Sequence, residues 1–435
     1  MTSNELNDSQ VGQYCHDLAT RLYPICRSLT GPGVRETLSI LASEIQGLEI
    51  KEVPSGTTAF DWTVPDEWEI RGAYIADEHG NKIVDFQDHN LHVLGYSEPV
   101  DRVVILDELE KHLYSLPDQP DAIPYITSYY SRRWGFCLTH NQRQTLKPGS
   151  YRVVIDSTLK PGVLNYAEVM IPGESKEEVF LSTYVCHPSM ANNELSGPVV
   201  TTALVRWLMS LPSRKYTYRV VFIPETIGSI VYLSKHHKHL QSTVIAGFNI
   251  SCVGDDRCYS YLPSRNGRTL SDRAAVHALR SIDPNFKIYT WLDRGSDERQ
   301  YCSPGVDLPI ATIMRSKYGE YPEYHTSLDD FSVVTPSGLA GGFAAIRDAI
   351  EIVEANVTLR CTVLCEPQLG KRGLYPTIST KDTAAQVGAM MGMISYCDGE
   401  HSLLDIAEKI GQPFKKLQGI LGPLMENGLL VKVDS

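Results

Sequence analysis

Three short segments of this chain contain side chains that could bind one metal ion together. The first has His187 at the end of an apolar strand and Glu194 in the turn before a helix. The second has Glu225 directly after another apolar strand, and the third has His325 in a polar loop. Catalytic zinc takes three protein ligands from His, Asp, Glu and Cys and lowers the pKa of water. The residue types therefore indicate hydrolytic metal chemistry.

Each of these residues also has a purely structural interpretation. His187 precedes a proline and could be a capped loop residue. Glu225 precedes a predicted helix, where a carboxylate can interact with the helix N-terminus. His325 lies in a loop of tyrosines and acids typical of a surface, where acids such as Asp329 are expected to be solvated. The metal hypothesis depends on strand ends, because open α/β sheets bind ligands at the carboxyl ends of their strands.

Two other groups of metal-binding residue types favour structural interpretations. His236, His237 and His239 fall on a predicted helix face that is basic and exposed, which indicates an ordinary surface. Cys361 and Cys365 have no second Cys/His pair beside them, which disfavours a zinc knuckle. The ten cysteines are scattered through the chain, as is typical of reduced thiols. We therefore expect a cytoplasmic protein.

The segment from 151 to about 357 alternates apolar strands with helices, which predicts the scaffold that positions these residues. The apolar strands are predicted at 179–185, 218–223, 244–253 and 308–314. Strands that are buried on both faces form continuous apolar runs, so this pattern predicts a mostly parallel sheet with helices on both faces. The expected fold class is α/β, an α/β/α sandwich.

A chain of 435 residues is longer than a single hydrophobic core usually supports, and three domains are predicted. The α/β domain is assigned to 1–57 and 151–360, with its sheet resuming at Tyr151 after an insertion. Residues 58–150 contain short strands between turn residues, which predicts a small inserted β-rich domain. Residues 370–435 show helix, turn, helix and closing strand, the pattern of a winged-helix domain.

The charge of the chain disfavours several classes of partner. Its formal net charge is −12, which argues against nucleic acid or an anionic membrane surface. The winged-helix segment has as many acidic as basic side chains, whereas a DNA-binding module should be clearly basic. We therefore expect this module to contact protein, as in a homodimer. No apolar run approaches the roughly 18–20 residues of a membrane span, so no membrane partner is expected.

The metal-binding segments resemble the zinc aminopeptidase superfamily, which also contains glutaminyl cyclases and glutamate carboxypeptidases. The chain is most similar to bacterial aminopeptidase-like proteins that have an inserted β domain and a C-terminal winged helix, often linked to polysaccharide or secondary-metabolite biosynthesis. The resemblance implies a zinc-peptidase-like sandwich and a hydrolytic zinc site. The motifs that carry it are Cys186-His-Pro-Ser-Met-Ala-Asn-Asn-Glu-Leu-Ser-Gly197, Pro224-Glu-Thr-Ile-Gly-Ser229 and Glu323-Tyr-His-Thr-Ser-Leu-Asp-Asp330.

The chain departs from the superfamily at three carboxylate positions. Asn193 stands where the superfamily has the Asp that bridges two zinc ions, and Ser251 stands where it has a further Asp. The superfamily's Glu-Glu pair corresponds here to Glu225 with either Thr226 or Pro224. A carboxamide or hydroxyl brings no negative charge to the site. Fewer anionic ligands favour one zinc ion per chain over two.

On this resemblance, His187, Glu225 and His325 are the expected ligands of a Zn²⁺ cofactor. Glu225 carries either the general-base role or a ligand role, and the sequence leaves both open. Glu194 and Asp297 are candidates for the missing carboxylate, and Glu194 is also a catalytic candidate.

Further residues near the strand at 308–314 are candidates for binding substrate. Arg315, Tyr318 and Tyr324 could orient a substrate carboxylate or an oxyanion, and Asp297 lies in a charged loop that could also contact substrate. Arg315 could equally form a structural ion pair, since a buried arginine usually needs a partner.

These expectations combine into a zinc-dependent amide hydrolase, similar to an aminopeptidase. Metal-activated water would attack the carbonyl of a small amino-acyl or peptidyl metabolite, within a biosynthetic pathway. One alternative is a biosynthetic enzyme that deacylates or cyclises its substrate on the same fold. Another is an inactive scaffold that binds a ligand or a partner protein.

Overall fold

The computed structural model describes residues 8–374 and 381–433. Within these residues the chain forms two compact units. The first unit contains the residues up to 272 together with 286–346, and the second contains 273–285 together with the residues from 347 onward. The domain boundaries expected at 57, 150 and 370 stay predictions. None of the described helices is long and apolar enough to cross a membrane.

The first unit is built on a mixed, mostly parallel sheet of eight strands, which confirms the predicted α/β class. Its four central strands run parallel to one another, and antiparallel strands flank them at both edges. All seven residues of the strand Glu178–Tyr184 are buried, which explains its continuous apolar sequence. In spatial order the strands are Glu49–Pro54, Val163–Ile171, Thr217–Ile223, Glu178–Tyr184, Val244–Ile250, Ile310–Met314, Ser260–Leu262 and Lys287–Ile288.

Helices occupy the connections between these strands. The helix Ser196–Ser210 contacts the strands Glu178–Tyr184 and Val244–Ile250, and most of its residues are buried. A buried helix needs apolar residues around most of its circumference, as its sequence has. The longer helices of the chain before the winged-helix segment are Asp8–Leu22, Pro32–Glu44, Ser196–Ser210, Ile227–Thr243, Leu270–Ile282 and Pro336–Ala355.

A second, antiparallel sheet of four strands lies in the region predicted as an insertion. The strand Ser150–Lys160 pairs with two other strands of this sheet, so the expectation that the main sheet resumes at Tyr151 is wrong. The main sheet resumes one strand later, at Val163. Burial alternates along Ser150–Lys160, because one face of the strand meets solvent. The central strands of the main sheet are instead continuous apolar runs, so alternation in the sequence could have indicated a separate sheet. The four strands, in spatial order, are Lys82–Asp85, Glu67–Ala76, Ser150–Lys160 and Val100–Ile105.

The same region also contributes a loop to the main-sheet edge. Pro124 forms an isolated antiparallel bridge with Thr326, and the backbone N–H of Tyr125 donates to the carbonyl of His325 at 2.8 Å. The region also contains two short pairs of strands, Thr58–Ala59 with Trp62–Thr63 and Leu113–Tyr114 with Phe136–Cys137. Its two short α-helices are Leu106–Leu109 and His140–Gln144.

The second unit has the predicted winged-helix arrangement. The helix Leu403–Ile410 begins with a capping box in which Ser402 and Asp405 bond to each other's backbone N–H groups. A three-stranded antiparallel sheet closes the unit, and one of its strands, Thr358–Cys361, lies upstream of the boundary expected at 370. The other elements are the helices Lys381–Ser395 and Phe414–Glu426 and the strands Asp398–Ser402 and Leu430–Lys432.

Replacing Gly197 by alanine tests the packing of the buried helix on the main sheet. A Cβ atom there would lie 2.4 Å from the carbonyl oxygen of Ile250 and 2.5 Å from Oγ1 of Thr183. We expect Gly197→Ala to lower the free energy of unfolding by on the order of 2–3 kcal/mol, because backbone atoms cannot move aside cheaply. Gly72→Ala, whose Cβ meets no atom within 4 Å, is the matched control. Equal melting temperatures for the two variants in calorimetry would contradict this packing.

Candidate metal centre

The candidate ligands come together because parallel strands end at the same edge of the sheet. The strands Glu178–Tyr184 and Thr217–Ile223 are neighbours in parallel register, with Tyr184 opposite Ile223. His187 lies three residues beyond the first strand end and Glu225 two residues beyond the second. The predicted location of both residues at strand ends is therefore what the structure has.

Three side chains form a compact group that could hold a metal ion. One ligand atom from each of His187, Glu194 and Glu225 lies within 4.8 Å of the other two. Nε2 of His187 lies 3.1 Å from Oε2 of Glu225. His187 and Glu194 are buried, and the side chain of Glu225 is 16% exposed. The structure thus brings Glu194, a candidate for the missing carboxylate, beside two of the three expected ligands.

His325, the third expected ligand, lies nearby but outside this group. Its ring centroid is 6.1 Å from that of His187, and the two rings are nearly perpendicular. Its ring stacks on Tyr324 at 3.9 Å between centroids, and its backbone has a φ of 57°. His325 is thus held at the same cavity, whereas the close group among the described residues contains Glu194 instead.

Burial controls the charges of the three group members. Burial and the nearby charge of Glu225 raise the pKa of Glu194 well above its ordinary value. Burial raises the pKa of Glu225 to about 7, against an opposing effect of Arg299. Burial, helped by the buried Arg27, lowers the pKa of His187 to about 3. The imidazole is therefore neutral at pH 7, as a metal ligand must be.

The donor set fits a divalent cation. Two carboxylates that repel each other in a buried site are stabilised when a cation binds between them. Oε2 of Glu194 is buried and has no hydrogen-bond partner within the described residues. Such an unpartnered buried oxygen is costly unless a further ligand, such as a metal ion, satisfies it.

Hydrogen bonds to Asp329 hold the turn that contains Glu194 in place. The carboxylate of Asp329 accepts the backbone N–H groups of Asn192 and Asn193 at 2.7 and 3.0 Å and the hydroxyl of Tyr321 at 2.8 Å. Asp329 is fully buried, so the expectation that it is a solvated loop charge is wrong. The amide nitrogen of Asn193 in turn donates to Glu194. Asn193 therefore orients a carboxylate in this structure.

Two tyrosines from the region 58–150 hold the imidazole of His187. The hydroxyl of Tyr129 lies 2.8 Å from Nδ1 of His187, and the hydroxyl of Tyr125 lies 2.6 Å from that of Tyr129. The Tyr125 ring also stacks on His187 at 4.5 Å between centroids. When Nδ1–H donates to Tyr129, the lone pair of Nε2 is free to bind a metal. The sequence analysis missed both tyrosines, since no spacing relates them to the strand ends.

A strained turn sets the position of Glu225. Thr226 has φ 64° and ψ −72°, and the N–H of Ile227 donates to the carbonyl of Glu225 at 2.7 Å. This is a γ-turn with positive φ, a conformation that costs a β-branched residue on the order of 1–3 kcal/mol. Asp297 supports it, because its Oδ1 accepts the N–H of Thr226 at 2.7 Å and the hydroxyl of Ser229 at 2.9 Å.

The residues predicted to bind substrate are placed elsewhere. The guanidinium of Arg315 lies 3.9 Å from the ring centroid of Tyr259, and the hydroxyl of Tyr318 donates to Glu298 at 2.6 Å. Tyr324 stacks on His325, and Asp297 supports the γ-turn as described above. None of the four is among the described residues that line the cavity at His187. A substrate-binding role for them therefore gains no support from this geometry.

His187 and Glu225 of this group line a cavity of about 550 Å³, within the range of roughly 300–1,000 Å³ that is common for small-molecule sites. Its walls are mainly aromatic and aliphatic, with one arginine. They are formed by Leu29, Trp62, Tyr125, Ile126, Thr127, Tyr129, Tyr130, His187, Glu225, Thr226, Ile227, Arg299 and His325.

The buried carboxyl of Asp297 predicts a pH dependence of stability for the metal-free protein. Burial and the charge of Glu225 raise the pKa of Asp297 to about 8. The folded state therefore holds a proton that the unfolded state releases, and stability falls as the pH rises from 5 to 8, by about 1.4 kcal/mol per pH unit for this group. Asp297→Asn keeps an accepting oxygen but does not titrate, so urea unfolding in the presence of chelator should show a flatter pH dependence.

The exposed Asp61→Asn is the control for that experiment, and it should retain the wild-type slope. A wild-type slope in Asp297→Asn would mean that Asp297 is already ionised in the folded protein.

Comparisons with known proteins agree with this architecture. A family model described as "Domain of unknown function (DUF4910)" matches residues 16–356, and a winged helix-turn-helix model matches residues 357–432. A Clostridium acetobutylicum protein is 43% identical over 414 residues, which cover 95% of this chain and 94% of that protein. Its name assigns it provisionally to polysaccharide biosynthesis and gives it an aminopeptidase-like domain.

Solved structures show the same relationship. A crystal structure of a provisionally assigned peptidase from C. acetobutylicum superposes with a TM-score of 0.93 at 41% identity, covering 98% of both chains. A zinc aminopeptidase from Bacillus subtilis superposes with a TM-score of 0.57 at 13% identity, covering 79% of this chain and 94% of that one, which shows a shared fold. The chain therefore belongs to the DUF4910 family, with the zinc-aminopeptidase-like fold that its sequence motifs predicted and a C-terminal winged helix-turn-helix.

Proposed function

We propose that this protein is a zinc-dependent hydrolase that cleaves an amide bond in a small acylated metabolite. One observation carries the proposal, the close group of His187, Glu194 and Glu225 beside a cavity of small-molecule size. The aminopeptidase-like fold supports it, and the name of the C. acetobutylicum relative suggests polysaccharide biosynthesis as the setting.

The three side chains match the ligand chemistry of a catalytic zinc site. One imidazole nitrogen and two carboxylate oxygens would hold the ion and leave a position for a small molecule. Two carboxylates balance the charge of one dication, and Asn193 adds no negative charge that would favour a second. We therefore propose one zinc ion per chain. His325 remains a candidate for a further ligand or for a hydrogen-bond donor to the substrate carbonyl.

The protein groups around the ion suggest how an amide would be cleaved. Bound zinc supplies Lewis acidity, which polarises a carbonyl and lowers the pKa of water. If Glu225 is the base and not a ligand, its carboxylate would accept a proton from water and return it to the departing nitrogen. The hydrogen bond that Nδ1–H of His187 donates to the hydroxyl of Tyr129 keeps the ring in one orientation.

The other functions proposed from the sequence use the same site differently. Deacylation of an amino compound is amide cleavage in which the acyl group is the small part, and cyclisation uses an internal nucleophile in place of water. A binding scaffold would need neither metal nor carboxylates. A homodimer formed through the winged-helix unit and a cytoplasmic location remain part of the proposal.

The metal content of the untagged protein tests the proposed centre. We expect plasma mass spectrometry to find about one zinc per chain in the wild type and almost none in His187→Ala, because a three-ligand site rarely survives the loss of one ligand. His79→Ala, which removes an exposed histidine, should keep the zinc. About two zinc ions per chain would show that Asn193 and Glu194 do support a bridged pair. A wild type without metal would favour the binding scaffold.

Separate glutamine substitutions distinguish a base from a ligand. If Glu225 is the general base, Glu225→Gln should retain zinc and lose on the order of 10²-fold or more in hydrolysis of N-acyl amino acids and N-acyl amino sugars. Glu194→Gln should instead lose zinc, because it removes the charge of a ligand carboxylate whose buried Oε2 has no hydrogen-bond partner among the described residues. Loss of zinc in both variants would make Glu225 a ligand. Full activity in Glu225→Gln would remove it from the chemistry.

A further inference from the structure

The cavity beside the candidate metal centre has one fixed positive charge among its described lining residues. That charge is the guanidinium of Arg299, from the short helix Glu298–Tyr301. The other lining side chains are aromatic, aliphatic or hydroxyl-bearing, apart from Glu225 and two histidines whose pKa values burial lowers to about 3. The net electrostatic character of the cavity wall away from Glu225 is therefore positive.

Among the described residues, Arg299 has no ion-pair partner. No carboxylate oxygen of the described residues lies within 4.0 Å of its guanidinium, whereas Arg219 and Arg257 have carboxylate partners at 2.6 to 2.8 Å. Its side chain donates to Oγ1 of Thr226 at 2.6 Å. A guanidinium has five N–H donors in a planar fork, so most of them stay free for a ligand.

The contact with Thr226 fixes where this charge lies. Thr226 is the central residue of the γ-turn that follows Glu225, and Asp297 holds its backbone from the other side. Arg299 is therefore held against the residue that directly follows Glu225, a carboxylate of the proposed metal site. An anionic group bound by Arg299 and an amide bound at His187 and Glu225 would therefore be parts of one small molecule.

This charge distribution differs from what a free amino terminus requires. A substrate with an α-ammonium group needs a carboxylate to receive it. Among the described residues that line this cavity the one carboxylate is that of Glu225, and the proposed zinc site uses it. An arginine in the wall would repel an ammonium group and attract an anion. The cavity is thus complementary to a substrate whose nitrogen is acylated and which carries a negative charge.

The aromatic wall adds a second requirement. Trp62 and Tyr130 lie at 5.9 Å between ring centroids, and both are partly exposed, by 38% and 55%. With Tyr125 and Tyr129 they offer a broad apolar surface in the same cavity. The C–H face of a sugar ring, or an apolar side chain, would pack on such a surface by dispersion and area burial.

We infer that Arg299 binds a carboxylate or phosphate of the substrate, and that the substrate is an anionic N-acyl amino sugar. This deepens the proposed function and rests on it, since the acyl amide is the bond that the metal site would cleave. Arg299 then selects the substrate by its anionic group. The amide to be cleaved lies at His187 and Glu225. Zinc loss in His187→Ala tests the metal site alone, so the two proposals can fail independently.

Ligand-observed NMR titration of the purified full chain tests this inference without requiring turnover. The probes are N-acetylglucosamine, which is neutral, N-acetylglucosamine 1-phosphate, and N-acetylmuramic acid, which carries a carboxylate. N-acetyltyrosine represents an anionic acyl amino acid. We expect the wild type to bind at least one of the two anionic sugars on the order of tenfold more tightly than the neutral sugar, as for a charge-assisted hydrogen bond. The preferred sugar would distinguish phosphate from carboxylate.

Variants assign the preference to Arg299. Arg299→Gln should remove the roughly tenfold preference for an anionic sugar over the neutral one. It should leave the affinity for N-acetylglucosamine unchanged, whereas a general disturbance of the cavity would weaken the binding of both kinds of sugar. Arg294→Gln, an exposed arginine of the same segment that does not line the cavity, should keep the preference.

Three results would overturn the inference. They are equal affinities for neutral and anionic sugars in the wild type, a preference that persists in Arg299→Gln, and no binding of any sugar probe. Tighter binding of N-acetyltyrosine than of either anionic sugar would retain the anion site but overturn the sugar as the substrate class.

Discussion

The structure around the site is organised by two buried carboxylates that lie beside one neutral imidazole. Burial raises the pKa values of Glu194 and Glu225, and the charge of Glu225 raises that of Glu194 further, so the protein must either retain protons there or bind a cation. Both arrangements require the three side chains to stay close. A sheet of parallel strands provides this rigidity, because adjacent strands end side by side and their hydrogen bonds fix the distance between the segments that follow.

The segments beyond the strand ends are held by polar contacts from other parts of the chain. Asp329 binds the backbone of the turn that carries Glu194, and Asp297 binds the backbone of the strained Thr226. Tyr129 meets the imidazole of His187 from a loop that precedes the central strands by many residues. Strain at Thr226 persists because these bonds restrict the alternatives. The site is therefore a property of the whole first unit and cannot be assigned to one motif.

This origin explains which parts could be predicted from the sequence. The location of His187 and Glu225 at strand ends was predictable because buried strands are visible as continuous apolar runs, and polar residues at their ends follow directly. Tyr129 was not found, because no local pattern shows that its loop reaches the same edge. Arg299 lies in the charged loop 293–301, for which contact with substrate was one prediction, but no feature of the sequence distinguished this residue within the loop. Arg315 follows a central strand as well, yet its guanidinium stacks on Tyr259, since side-chain direction depends on packing that the sequence does not display. The aminopeptidase-like fold was predictable, whereas the composition of the cavity was not.

The sheet and the loops around it contribute differently to function. A zinc-aminopeptidase-like sheet places a metal site at its edge, but the groups that select a substrate come from the loops around it. Here those loops bring aromatic rings and Arg299, which has no ion-pair partner among the described residues, and the one carboxylate of the described lining, Glu225, belongs to the proposed metal group. A positive wall opposes an α-ammonium group and favours an anion, whatever the fold. The proposal of an anionic N-acylated substrate, in place of a peptide with a free amino terminus, follows from this difference between the fold and the cavity.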